Sequence, residues 1–245
     1  MAIYEKSVRF LMKDMANDFA MKKGDRITKD QVIAWFNDKY PKIKLGTITA
    51  HLVRMSTNAK SRHHYSAKPI EDDLFYQIDG NTYRLFDAEN DPSPLVKGVQ
   101  VTEEANEAES EINEEKNEFA YEKDLQNFLS RNLNLIEPGL RLFEDDGITG
   151  IEYPVGGRYI DILALDKNNN YVVIELKVSR GYDRVVGQLL RYVAWVKKYQ
   201  ADEGQSVRGI IIAREISEDL SLACDGLANV ELFEYQLSIA LNKVE

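Results

Sequence analysis

The residues with the clearest chemical potential are an aspartate inside one short apolar run and a glutamate and lysine at the end of the next. Asp161 lies in RYIDILAL, Arg158 to Leu165, and Glu175-Leu176-Lys177 closes YVVIELKV, Tyr171 to Val178, with a turn-rich LDKNNN between the two. Side chains alternate across a strand, so Val173, Glu175 and Lys177 share one face while Val172, Ile174 and Leu176 share the other. A carboxylate and an ammonium therefore lie side by side. The stretch from Val172 to Leu176 is almost continuously apolar, the pattern of a strand covered on both faces. Ionised groups in such a strand are costly unless they serve a site, which favours metal-assisted chemistry. The alternative is an edge-strand acid at Asp161 and a surface charge pair of Glu175 with Lys177, worth only a few tenths of a kcal/mol.

This D…ExK arrangement resembles the catalytic core of the PD-(D/E)xK nuclease superfamily, the restriction-endonuclease-like fold. The wider pattern of GRYIDILALD, VVIELK and QLLRY at a helix start resembles the nuclease domain of the NucS or EndoMS endonucleases. That resemblance runs from about Glu118 to the C-terminus. Ile160 stands where the superfamily's name-giving motif has proline. The resemblance implies Mg²⁺-dependent hydrolysis of DNA phosphodiesters, with Mn²⁺ substituting, by Asp161 and Glu175 as metal ligands and the Leu176 carbonyl as a third. Lys177 would orient or deprotonate the attacking water, with its pKa lowered by burial and the metal's charge. Glu122 would reach the site from the first helix of this half and Gln188 from a later one. Tyr192 and Arg191 are further candidates, and Arg158, Arg180 and Arg184 are candidates for phosphate contact. The first half does not resemble the non-catalytic domain of that family, so mismatch specificity does not carry over, and restriction or host defence fits alongside DNA repair.

The elements that must position these residues follow from periodicity. From Phe119 a helical pattern places Leu125, Phe128, Leu129 and Leu133 at helical spacing, with Glu122 in its first turns. Leu140 to Val155 reads as strands around Asp145-Asp146-Gly147, and Gly156-Gly157 turns the chain into the Asp161 strand. A helix from about Val185 to Tyr199 follows, with Val186, Leu189, Leu190, Val193 and Val196 inward, then a buried strand, Gly209 to Ala213. Ser217 caps a short helix, and Val230 to Leu241 ends the chain as strand or mixed structure. Strands alternating with helices make an α/β domain, a restriction-endonuclease-like mixed sheet flanked by helices.

The first half reads differently. Residues 1–70 carry 14 Lys/Arg against 6 Asp/Glu, within a chain of net charge −10, so the attraction for phosphates is expected there. Three helices are expected, at Ile3 to Met21, Lys29 to Lys39 behind a Thr28/Gln31 capping box, and Thr47 to Asn58. A hairpin of Leu74 to Ile78 and Asn81 to Phe86 turns at Asp79-Gly80. This order suggests a winged-helix-like α+β domain. In the third helix Ile48, Leu52 and Met55 face the core, and Thr47, His51, Arg54 and Asn58 form a polar face for DNA. The alternative for that face is simple solvation. Lys60 and Arg62 extend the expected DNA contact into a basic loop with His63, His64 and Lys68, and the two histidines lack the spaced partners of a metal site. The domains are therefore expected at 1–95, winged-helix-like, and 118–245, nuclease, joined by an acidic linker at 96–117.

Composition narrows the remaining classes. The single cysteine, Cys224, makes no intramolecular disulfide; no apolar run is long enough for a membrane helix; and charges are spread through the first residues, so a cytoplasmic protein without membrane contact is expected. There is no phosphate-binding glycine loop, and the three histidines all lie in the first half. Cutting both strands requires two sites, hence an expected homodimer. Two rival readings stay open here: a DNA-binding regulator built on an inactive nuclease fold, and an RNA-directed nuclease.

Overall fold

The computed structural model describes residues 4–95, 122–177 and 183–236; the acidic segment 96–117, Phe119, Arg180 and the end of the chain beyond Gln236 lie outside them. The first part comprises α1 (Val8–Asp18), β1 (Arg26–Thr28), α2 (Lys29–Lys39), α3 (Leu45–Met55), a 3₁₀ turn (Lys60–His64), β2 (Phe75–Gln77) and β3 (Thr82–Leu85). Its strands form a small antiparallel sheet in the order β1-β3-β2. The capping box forms as expected: the Gln31 amide donates to the Thr28 hydroxyl and the Thr28 amide to the Gln31 side chain. At the hairpin the Asp79 carboxylate accepts from the amides of Asn81 and Thr82 at 2.8 Å, closing the turn. Leu11, Met12, Met15, Val32, Phe36 and Phe75 are among the residues of its core, which Ile48, Leu52 and Met55 of α3 join.

The second part is α4 (122–131), a 3₁₀ turn (Leu133–Leu135), β4 (Arg141–Leu142), β5 (Glu144–Asp145), β6 (Ile148–Thr149), β7 (Ile151–Val155), β8 (Arg158–Leu165) and β9 (Tyr171–Lys177), followed by α5 (Asp183–Tyr199), β10 (Val207–Ala213), α6 (Glu218–Cys224) and β11 (Val230–Glu234). The main sheet runs β11-β10-β9-β8-β4, with β7 also paired to β8. β9, β10 and β11 are parallel, whereas β4, β7 and β9 each run antiparallel to β8, which is the mixed sheet anticipated. Its strands are apolar on both faces because both are covered. Leu125, Leu129 and Leu133 pack against Ile162, Val172 and Ile174 on one side. On the other, Val173 and Ile211 meet Val185, Leu189 and Val196 of α5.

The expectation for α3 requires correction. From Gly46 to Met55 every residue of this helix is buried. Its second apolar face, Ala50 and Val53, belongs to the same cluster as Phe143, Tyr153 and Tyr171 of the second part. The sequence TITAHLV is apolar nearly all round, and such a helix is buried rather than amphipathic. A side chain at Gly46 would overlap Gln200 Oε1 and Tyr153 Oη, so glycine is what permits this close approach.

Arg54 ties the two parts together at this contact. Its guanidinium donates to Asp72 Oδ2 (3.1 Å), to the Ser66 carbonyl (2.9 Å) and to the Asp146 carbonyl at the tip of the β5–β6 hairpin. Asp72 is fully buried and is also 3.3 Å from Arg9, so losing Arg54 removes the nearer of its two cations and leaves the Ser66 and Asp146 carbonyls without this donor. Arg54→Ala is therefore expected to lower stability by about 3–5 kcal/mol in chemical denaturation. A loss below about 1 kcal/mol, the range of surface pairs, would show that the buried contact is not made.

Candidate active site

The β8–β9 ladder ends at the pair Ile162–Ile174. Beyond that point β8 continues beside β7 alone, and Asp161 is the first residue past the divergence. Its carboxylate takes over where the ladder stops: Oδ2 accepts a hydrogen bond from the Leu176 amide at 2.7 Å. The backbone there is steadied by Gln126, whose amide donates to the Asp161 carbonyl at 2.9 Å. Gln126 is buried and lies four residues after Glu122, one helical turn along the same face. That spacing was available in the sequence and marks a residue missed by reading it.

Glu175 and Lys177 lie together as strand alternation requires, with Nζ 3.3 Å from Glu175 Oε1. Gln188 of α5 donates to the same carboxylate oxygen and lies 3.2 Å from the Tyr192 hydroxyl. Glu175 is 1% exposed, and its second oxygen, Oε2, is buried with no hydrogen-bond partner. An orphaned carboxylate oxygen of this kind is rare, since each such atom carries its full desolvation cost.

The electrostatics describe a site rich in carboxylates. Burial, opposed by the Leu176 amide and reinforced by Glu122, pushes Asp161 up to about 7. Burial, then Asp161, pushes Glu175 up to about 8. Burial alone would lower Lys177, but Glu175, Glu122 and Asp161 outweigh it and hold the ammonium above its ordinary value. Among the protein's own groups, the neighbouring carboxylates set the net direction. Asp161, Glu175, Lys177 and Glu122 thus act on one another electrostatically, and Gln188 is hydrogen-bonded to Glu175. Among the described residues no cluster of three or more His, Cys, Asp or Glu has the arrangement of a metal cage. A pair of carboxylates with one unpartnered oxygen instead fits an ion such as Mg²⁺, which keeps several waters and needs few protein ligands.

The expected DNA-contact residues fall elsewhere. Thr47 lies 3.4 Å from Asp145 Oδ2, and His51 is fully buried, with Nδ1 against the Thr47 carbonyl (2.9 Å) and Nε2 3.4 Å from Asp146 Oδ2. Arg54 is committed to Asp72, and the buried Arg62 to Asp73. Asn58 is half-buried and exchanges hydrogen bonds with the Gln77 backbone at 2.8 Å. Only Lys60 of the six is exposed. The reason lies within the chain: these polar groups meet the acids Asp72, Asp73, Asp145 and Asp146 and backbone of their own protein. Arg158, Arg184 and Arg191 are exposed, and Tyr192 is buried behind Gln188.

Residues 121–232 match the family described as Endonuclease NucS C-terminal domain, and residues 7–85 match a domain of unknown function, DUF7669. The second half is thus similar to the NucS C-terminal endonuclease domain. Endonuclease NucS of Methanocaldococcus jannaschii is 29% identical over 180 residues, covering 72% of this chain and 63% of the relative. That of Pyrococcus furiosus is 34% identical over 98 residues, covering 40% of this chain and 33% of the relative. The chain therefore spans less than two thirds of the length of these relatives. Among solved structures, a repair endonuclease from Pyrococcus abyssi is 26% identical with a TM-score of 0.39, covering 54% of this chain and 50% of that one.

The raised carboxyls carry a consequence for stability. The folded chain keeps these protons up to about pH 7–8, whereas the unfolded groups release theirs near 3.8 and 4.5. Between those limits the folded state binds more protons, so stability falls as pH rises. In EDTA the Tm is expected to drop from pH 5 to pH 8, the drop to shrink in Glu175→Gln, and Mn²⁺ at pH 8 to restore it by binding the folded state. A wild-type Tm that is level across this range, with Glu175→Gln identical to it, would contradict the arrangement.

Proposed function

We propose that this protein is a divalent-metal-dependent endonuclease that cuts DNA, in a DNA-repair setting, with its catalytic centre at Asp161, Glu175 and Lys177. The observation that carries the reading is the buried Glu175 carboxylate, one oxygen engaged by Lys177 and Gln188 and the other without a partner, beside a second raised carboxyl at Asp161. A NucS-type second half supports the same chemistry. Asp161, Glu175 and the Leu176 carbonyl would hold Mg²⁺, or Mn²⁺ in its place. When bound, that ion supplies neutralisation of phosphate charge and a lowered pKa for water.

The chain's own residues then have separable tasks. Lys177, held protonated by its carboxylate neighbours, is a donor placed to orient water or a phosphate oxygen. Gln188 fixes the rotamer of Glu175 and links it to Tyr192. Gln126 fixes the backbone of Asp161, and Glu122 adds a third negative charge that favours a cation. The exposed Arg158 and Lys60 are candidates for phosphate contact. The first part, three helices on a small antiparallel sheet, is read as winged-helix-like, with α3 used for docking within the chain. A homodimer would supply the second site needed for double-strand cutting.

The test is cleavage of a pool of plasmid, modified, mismatched and single-stranded DNA with Mg²⁺ or Mn²⁺, beside an Asp161→Ala control. Cutting is expected to need the metal and to fall by on the order of 10²-fold or more in the variant. Absence of cutting on every DNA, with binding retained in both proteins, would replace this reading by that of a DNA-binding protein on an inactive fold.

A further inference from the structure

Glu152 has no task in the reading above, yet it stands opposite Asp161. The β7–β8 ladder pairs Ile151 with Ile162 and Tyr153 with Ile160, and the rung between them, Glu152 with Asp161, is missing. Glu152 has φ +46°, a left-handed conformation that non-glycine residues enter at a cost and keep only when their surroundings enforce it. The enforcing contacts come from the first part of the chain. The Tyr65 hydroxyl donates to the Glu152 carbonyl at 3.0 Å, and Ser61 Oγ donates to Glu152 Oε2 at 2.5 Å. His64 Nε2 lies 3.4 Å from Glu152 Oε1, while the His64 carbonyl accepts from Thr149 of β6 at 3.1 Å. Ser61 and Tyr65 are each 2% exposed, so little water competes for these bonds.

We propose that Ser61, His64 and Tyr65 are positioning residues of the catalytic centre, which hold Glu152 in its left-handed conformation and so keep the β7–β8 rung at Asp161 open. An ordinary strand residue at 152 would continue the ladder past Asp161 and engage the backbone that Gln126 now holds. With the rung open, the Asp161 carboxylate is aimed at the Leu176 amide and the space beside Glu175. The first part of the chain therefore contributes to the cutting step itself, and not only to recruitment of DNA. This inference rests on the nuclease reading of Asp161, Glu175 and Lys177. The acid at Glu152 also adds to the negative potential that Asp161 experiences.

The full chain is tested as Ser61→Ala/Tyr65→Phe, alone and combined with Glu152→Gly, since glycine adopts a positive φ without strain. Three quantities are measured: kcat and KM for plasmid cleavage with Mn²⁺, the Kd for DNA, and amide hydrogen exchange of residues 158–163. In the double variant kcat is expected to fall between about 10- and 100-fold, with Kd within twofold and faster exchange at 158–163 but not in β10. Adding Glu152→Gly is expected to recover most of kcat and of the protection. Unchanged exchange in the double variant overturns the bracing, whatever the wild type cuts. A fall seen only in KM, or no recovery with glycine, overturns the conformational role of Glu152. A wild-type chain that cuts no DNA overturns the nuclease reading instead, and the exchange data still decide whether the turn braces the strand.

Discussion

The arrangement depends on the point where β8 leaves β9. A sheet strand that parts from its neighbour strands backbone donors, and here the Leu176 amide is satisfied by the Asp161 carboxylate rather than by another rung of the ladder. This one hydrogen bond fixes the aspartate at the mouth of the divergence. It also leaves the next side chain of β9 facing the same space, which is where Glu175 lies with one oxygen unpartnered. The divergence and the carboxyl pair go together: a side chain replaces a rung where the strands part, and burial there raises both carboxyls.

The surrounding protein is arranged to hold that opening. α5 brings Gln188 and Tyr192 against Glu175 from one side of the sheet, and α4 brings Gln126 and Glu122 towards Asp161 from the other. The first part of the chain closes the third side through Ser61, His64 and Tyr65. Its docking uses α3 as a helix shared between two cores, with Ile48, Leu52 and Met55 in one and Ala50 and Val53 in the other. At that junction Arg54 pairs with Asp72, and His51 Nε2 lies 3.4 Å from Asp146 Oδ2. A contact of this kind resembles a protein core more than a surface meant for a nucleic acid, and it makes the two parts mechanically continuous.

Much of this was legible in the residues. Alternation along YVVIELK placed Glu175 beside Lys177, the apolar runs called for a sheet covered on both faces, and Thr28/Gln31 and Asp79-Gly80 marked a helix start and a turn. Those features are local: each follows from the period of a strand, the free donors of a helix end, or the geometry of a tight turn. The sequence by itself also determined which side chains are able to do chemistry, because their types and spacing are independent of what packs around them.

Tertiary structure alone decided which polar faces remain available. Thr47, His51 and Arg54 follow helical spacing as a solvent-facing row would, but whether a row meets water or another surface depends on residues about a hundred positions away, Asp145 and Asp146. The role of Glu152 is equally non-local: nothing in IEYPV announces a left-handed residue, which exists because Ser61 and Tyr65 arrive from another part of the chain. The direction of the Lys177 shift combines Glu175, its neighbour on the same strand, with Glu122 and Asp161, which only the fold brings near it. Periodicity reports what a segment can present, whereas burial and field are sums over neighbours that only the folded chain assembles.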